Sequence, residues 1–353
     1  MKALRAAVLS CTIVCAIGRA QQTDSIGNQP PEQESDPPRT AAKNKFPLDV
    51  AGYLSFRHLN DDSLGEHRFY REYSASLFVS KTLGAWRFHS EFNANTTQEY
   101  EAEGIHLFPR RPSLNVKLDS AFVNYNARDW FQIEAGFLFV PTYWRTHRYQ
   151  STTMTVDEPL MDQNIFPTAF EGVEVHGDKY FESSGLSYYV YAGISHEQHF
   201  NNDGVDHSQA FGGKVVLHLP SRHFFNAFDV GYHRLHELYP GLRRDQGNMV
   251  ELYLEKGRVT FLAEFGHSSI RPVDGSRGHY REGYYLQPWY RITHQLFAVV
   301  HYELLERDNL RAERNALGHQ SLGLTYRPVP ALSLTGSRWC CSTPKCPAWT
   351  GLL

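Results

Sequence analysis

The stretch "AWRFHSEFNANTT" (residues 85–97) decides the fold. Trp86, Phe88, Phe92 and Ala94 fall on one parity, and Arg87, His89, Glu91, Asn93 and Asn95 fall on the other. A period of two sends these sets to opposite faces of a strand, whereas a helix would mix them. The run is also long, because about ten residues is what a tilted strand needs to cross a bilayer. One face therefore suits lipid and the other suits water.

The same alternation recurs on either side. "YSASLFVSK" alternates Tyr73, Ala75, Leu77 and Val79 with small polar partners, and "WFQIEAGFLFV" alternates Phe131, Ile133, Ala135 and Phe137 with Gln132 and Glu134. "RVTFLAEFGH" and "QLFAVVHYELL" place Glu264, His301 and Glu303 on the inner parity. Fifteen such segments run from 48–58 to 331–336. Every second connection is short, as in "TLG", "RD", "PSRH", "KG", "THQ" and "PVP", with "DKYFESSG" (178–185) somewhat longer. The others read as long, beginning with "LNDDSLGEH", "QEYEAEGIHLFPRRPS" and the stretch 141–169. Loop lengths segregated by end are the mark of an outer-membrane barrel, with tight inner turns and long outer loops.

The expected fold class is all-β, a transmembrane antiparallel β-barrel over 48–336. Its inner wall is expected to carry Arg87, His89, Glu91, Asn93, Asp119, Glu134, Glu264, Arg291, His301 and Glu303. Only the outward half of each strand must be apolar, so a mean hydropathy of −0.46 is compatible with life in lipid. Trp86, Trp130 and Tyr302 stand near strand ends, where aromatic girdles sit.

The remaining composition narrows the function. Lys and Arg number 35 against 38 Asp and Glu, a net charge of −3, which excludes a nucleic-acid binder by charge. No cysteine occurs between Ala16 and Trp339, so the body is not a disulfide scaffold. Lys2 and Arg5 precede an apolar run and the small residues Gly18 and Ala20, the pattern of a cleaved secretory signal over 1–20. Residues 21–47 are rich in Pro, Gln and acids with few large apolar groups, the composition of a disordered leader. The expected location is the bacterial outer membrane.

The end of the chain breaks the pattern. "GSRWCCSTPKCPAWTGLL" (336–353) gathers Cys340, Cys341 and Cys346 with Pro344 and Pro347. Fifteen is an odd count, whereas bacterial single-chain barrels are even. We therefore expect sixteen strands by inference, with the last one missing or frameshifted and 337–353 an aberrant tail after a frame lost near Gly336.

The connection 141–169 places Arg145, His147 and Arg148 near one end and Asp157, Glu158 and Asp162 further on. Folded into the lumen, opposed charges of this kind form a constriction with a transverse field.

"LDSAFVNYNARDWFQIEAGFLFVPT" followed by "NIFPTAFEGVEVHG" resembles the phosphate-selective porin O and P family, through Asp119, Ala121, Gly136, Val140, Pro141, Gly172 and Gly177. The resemblance covers mainly 114–177 and is architectural elsewhere. It implies a sixteen-stranded diffusion channel that assembles as a homotrimer. The family's anion selectivity rests on an arginine ladder and a lysine cluster. Here the inner parity carries Arg57, Arg87, Lys117, Lys214, Arg291 and Arg327 against Glu72, Glu91, Asp119, Glu134, Glu174, Asp229, Glu251, Glu264 and Glu303, a mixed wall that leans acidic.

Other chemistry is weakly signalled. "HEQH" (His196, His199) and "HRLHE" (His233, His236, Glu237) are H-x-x-H pairs without helical context, so no metal and no cofactor is expected. His267 beside Ser268, and His147 with Asp157, lack the surroundings of a hydrolase nucleophile. Arg110 and Arg111 in "FPRRPS" could meet anionic lipopolysaccharide or a solute, but a solvated loop is the preferred reading. The expected function is a passive porin for small hydrophilic solutes or ions, narrowed by 141–169 and bounded by outer-membrane lipid and lipopolysaccharide. The rivals are a barrel enzyme of lipase or protease type and a plugged structural or adhesive barrel.

Overall fold

A computed structural model describes residues 6–17, 48–61, 68–103, 106–109, 113–143, 159–181, 184–196, 207–219, 225–306, 316–329 and 332–342. In chain order the elements are β1 (Ala6–Ile17), β2 (Asp49–Asp61), β3 (Arg68–Leu83), β4 (Trp86–Glu103), β5 (His106–Pro109), β6 (Ser113–Arg128) and β7 (Phe131–Phe139). A short helix, α1 (Leu160–Ile165), precedes β8 (Ala169–Phe181), β9 (Ser184–His196), β10 (His207–Leu219), β11 (Ala227–Tyr239) and β12 (Arg243–Lys256). The last elements are β13 (Val259–Pro272), β14 (His279–Arg291), β15 (Leu296–Glu306), β16 (Ala316–Val329) and β17 (Leu332–Ser342). All fifteen segments read from the alternation are strands, and β1 and β5 are additional. Among the described residues no helix is long and apolar enough to cross a membrane.

The pairings are antiparallel throughout. β2, β3 and β4 pair in sequence, β4 pairs β6, and each later strand pairs the next through β17. β1 pairs β17 on one side and β2 on the other, which closes the ring, while β5 pairs β4 alone. Burial is inverted relative to a soluble sandwich. Phe88 and Phe92 are each 43% exposed on the outer face, whereas Glu91 between them is 1% exposed. Phe211, Val250, Phe265, Val300 and Leu322 continue the exposed apolar face around the wall. Apolar outside and polar inside is the arrangement that satisfies every backbone group in lipid. The protein is a transmembrane antiparallel β-barrel.

The strict alternation of loop lengths is corrected here, whereas the export signal over 1–20 and the aberrant tail over 337–353 stay expectations. Residues 6–17, read as the apolar run of an export signal, lie in the wall as β1, with Ala6 opposite Asp61 and Ile17 opposite Val50. Pairing also continues past Gly336, with Leu322 opposite Arg338 and Gly318 opposite Ser342. Ladder bonds need only backbone groups, which 337–342 supply before the first proline at 344. Finally, the β11–β12 connection is only 240–242, with Tyr239 opposite Arg243, so loop lengths do not alternate strictly. The strands themselves run on where a long loop was expected.

A row of glycines crosses β7, β8 and β9, because Gly136 faces Gly172 and Gly172 faces Gly193. Gly136 has φ +142°, and a Cβ there would run into the Ala121 carbonyl. A Cβ at Gly172 would run into the Ala192 carbonyl. The absent side chains allow the close strand approach that curves this part of the wall.

Candidate functional site

The inner wall beside the 141–169 loop is the candidate site, and the loop is fastened to it at both described ends. At its start the Tyr143 backbone N–H donates to Glu251 Oε1 and to Glu264 Oε1, each at 3.2 Å. These carboxylates come from β12 and β13, where Glu251 and Glu264 are directly opposite. Like charges facing each other across a pair are unfavourable unless something sits between them. Here the peptide N–H and Lys214, whose Nζ is 2.7 Å from Glu251 Oε2, fill that role. The Tyr143 ring stacks on Tyr253 at 5.8 Å. Burial first, then Tyr253 and the nearby carboxylates, hold its hydroxyl proton well above the usual phenol range.

Further along, α1 and the residue after it lie on the wall. Met161, Ile165 and Phe166 join Leu235, Met249, Leu262, Tyr285 and Leu305 in one buried apolar cluster. Two wall glycines make the room. A Cβ at Gly266 would stand 3.0 Å from Met161 Sδ and 3.1 Å from Ile165 Cδ1, and one at Gly247 would stand 3.3 Å from the Phe166 ring. Burying three such side chains stabilises the seated loop by about 1.5–3 kcal/mol each. Phe166 also stacks on His233 at 4.9 Å.

Of the expected constriction residues, Asp162 is fully buried in α1. Arg145, His147, Arg148, Asp157 and Glu158 lie outside the described residues, as do Arg110, Arg111 and His199. On the wall, Glu91, Asp119, Glu264, His301 and Glu303 are buried. Asp119 sits where the β4–β6 register shifts and pairs with Lys117 at 3.0 Å. His89 lies between the rings of Phe78 and Phe122. Asn93 donates to Ser76 Oγ at 2.9 Å. His301 Nδ1 is 3.1 Å from Gln287 Oε1, and its Nε2 is 3.6 Å from Glu303. Arg87 is exposed close to the β3–β4 turn. Arg291 reaches the Gly257 carbonyl at 3.1 Å, which sets it at the short-turn rim. Glu134 accepts from Asn124 Nδ2 at 2.6 Å and faces His176.

The strand period also decides the histidine motifs. His233 is buried on the inner face, with Nε2 2.7 Å from Tyr191 Oη, while His236 is on the outer side against Phe211. Residues three apart on a strand point to opposite faces, so this H-x-x-H pair cannot converge on one ion. Glu237, on the inner face, accepts from Ser195 Oγ at 2.7 Å. Ser268 is buried inward while His267 stacks on Tyr280, so they do not form a nucleophile–base pair.

A different hydroxyl–imidazole–carboxylate chain is present, and the sequence reading did not single it out. Ser187 Oγ is 2.8 Å from His218 Nε2, and His218 Nδ1 is 2.8 Å from Asp229 Oδ1. The three residues come from β9, β10 and β11, with His218 directly opposite Asp229. The distances suit base activation of a hydroxyl. Ser187 lies inside a ladder paired on both sides, however, opposite Val216 and Asp178. Backbone N–H groups so committed are not available to build an oxyanion hole.

No family model matches the chain. An uncharacterized protein from Aquifex aeolicus (strain VF5) is 21% identical over 192 residues, covering 49% of this chain and 42% of that protein. The chain thus spans under half the length of that relative. Among solved structures, the anion-selective porin from Comamonas acidovorans covers 96% of this chain and 98% of its own at 11% identity, with a TM-score of 0.46. Salmonella typhi OmpF, in a complex with daunomycin, covers 97% of each at 9% identity and a TM-score of 0.48. The outer membrane channel DcaP of Acinetobacter baumannii covers 96% of each at 9% identity and a TM-score of 0.43.

Proposed function

We propose that this protein is a passive channel of the bacterial outer membrane, passing small hydrophilic solutes or ions through a lumen narrowed by 141–169. The observation that carries the reading is a sixteen-stranded ring, apolar outside and polar inside, whose long loop is seated on the inner wall. Rings of that size leave an aqueous channel, while eight-stranded ones are filled by their own side chains. The narrower identity as a phosphate-selective porin is not supported by the wall charges. Buried acids there include Glu91, Glu174, Glu251, Glu264 and Glu303, and Lys214 is the one buried lysine among the described residues. We infer a preference for cations, since rings of Asp and Glu favour them. A homotrimer bounded by lipid and lipopolysaccharide is the expected assembly.

Planar-bilayer recording of the folded protein tests this. Discrete conductance steps are expected, with a zero-current potential in a salt gradient of the sign that marks cation flow. A chain with 144–165 replaced by a Gly-Ser tether should show larger steps. A folded preparation without steps would overturn the channel reading.

The second reading, a barrel hydrolase, has one observation in its favour, the Ser187–His218–Asp229 chain. Labelling by a fluorophosphonate, absent in Ser187→Ala, would support it. The channel reading expects no labelling at Ser187.

A further inference from the structure

Glu134 on β7 and Glu174 on β8 are directly opposite one another, and Gln132 is opposite His176. Positions 174 and 176 share a face by the strand period, so both point inward beside Glu134. One ligand atom from each of Glu134, Glu174 and His176 lies within 4.8 Å of the other two. One edge, His176 Nε2 to Glu134 Oε1, is 3.5 Å, and Glu174 Oε2 is buried without a hydrogen-bond partner. Glu174 is 6% exposed, so an unpartnered carboxylate oxygen is held out of water and aimed into the cluster. Two facing carboxylates repel unless a proton or a cation sits between them. Lys214 in the same wall is committed to Glu251 at 2.7 Å.

We propose that Glu134, Glu174 and His176 form a divalent transition-metal site in the channel wall, of the class that zinc represents. An imidazole nitrogen with two carboxylates is a borderline donor set that suits Zn²⁺ better than Mg²⁺. Bonds of about 2.0–2.2 Å in a tetrahedral site place ligand atoms roughly 3.4 Å apart, close to the existing imidazole–carboxylate edge. The edges to Glu174 lie within 4.8 Å, in reach of carboxylate rotation, and the fourth position falls to water from the lumen. The supports of such a site are present as well. Asn124 Nδ2 holds Glu134 Oε1 at 2.6 Å, and Tyr189 stacks on the His176 ring at 5.8 Å with 10° between the planes. Outer contacts of this kind fix ligand orientation. Occupancy places a dication on the wall, so the ion acts on whatever passes beside it.

The test uses the full chain, folded in detergent and titrated with Zn²⁺ by calorimetry, with Mg²⁺ as the competitor. Zn²⁺ should bind to the wild type in excess Mg²⁺, and the Glu174→Gln, His176→Gln double variant should bind at least about tenfold more weakly. The heat-modifiable gel band reports that the variant is folded. Zinc absorption spectroscopy of the wild type supplies a readout independent of any variant: one nitrogen and otherwise oxygen in the first shell is expected. Unchanged affinity in the folded variant, displacement by Mg²⁺, sulfur ligands, or no binding at all would each overturn the proposal. None of these depends on whether the protein conducts.

Discussion

At the residue scale, the long loop is held by a few wall side chains whose loss is predictable. Glu251 accepts from Tyr143 N–H and pairs with Lys214, both in a buried setting. Removing one partner of a buried ion pair strands the other, at a cost of about 3–5 kcal/mol. Glu251→Ala should therefore lower the temperature at which the folded gel band disappears, and Glu251→Gln, which keeps an acceptor for Tyr143, should lower it less. Gly266 makes a complementary case. Met161 is flexible enough to yield to a methyl group, but Gly266→Leu overpacks the contact and should cost the seated loop about 1–3 kcal/mol. The measurable result is a rise in single-channel conductance as α1 leaves the wall. Glu251 and Glu264 were legible as inner-face acids from parity alone. Their partner was not, because a hydrogen bond from a loop N–H more than a hundred residues away leaves no trace in a local pattern. His176 was open to discovery, since Glu174-x-His176 is a same-face pair on a strand.

At the element scale, alternation located the strands of the body apart from the short β5, because lipid and water select side chains face by face. It failed at strand ends, where β11 and β12 run on to a turn at 240–242 although "HELYPGLRRDQ" has the polarity of a loop. Burial still alternates there, with Leu235, Glu237, Tyr239 and Asp245 buried inward, but the outward positions carry Arg234, His236 and Arg244, so polarity no longer follows the period of two. The glycines that carried the family resemblance also acquire a reason at this scale. Gly136 and Gly172 stand where a Cβ would collide with a neighbouring backbone carbonyl, which cannot move without breaking its ladder. Gly172→Ala should abolish the folded gel band. Gly257→Ala is the contrast: φ is +60° in open space, so only the left-handed penalty of about 1–2 kcal/mol applies and the barrel should still fold. Equal damage from both substitutions would show that turn conformation, and not strand approach, limits folding.

At the scale of the whole molecule, strand polarity decides how the ring closes. β2 and β17 both start at the short-turn end and run the same way, so they cannot pair antiparallel with each other. The slot between them accepts one strand running the opposite way, and β1 takes it, opposite Asp61 to Val50 on one side and Trp339 to Leu332 on the other. A C-terminal sixteenth strand would run in that same direction. The odd count of fifteen and the export-signal pattern of residues 1–20 thus meet at one place in the wall. If the signal is cleaved after Ala20, as the small residues Gly18 and Ala20 lead us to expect, the exported chain loses the strand that closes its own barrel. β2 and β17 then each carry a row of unpaired N–H and C=O groups, which lipid does not tolerate. Hydrogen exchange in detergent separates the two forms. In the full chain the amides of β2 that face β1 should be protected, and in a chain starting at Gln21 the same amides should exchange as freely as those of an open strand. Protection in the shortened chain would mean that another segment fills the slot, and the mass of the exported protein would then tell which end of the chain supplied it.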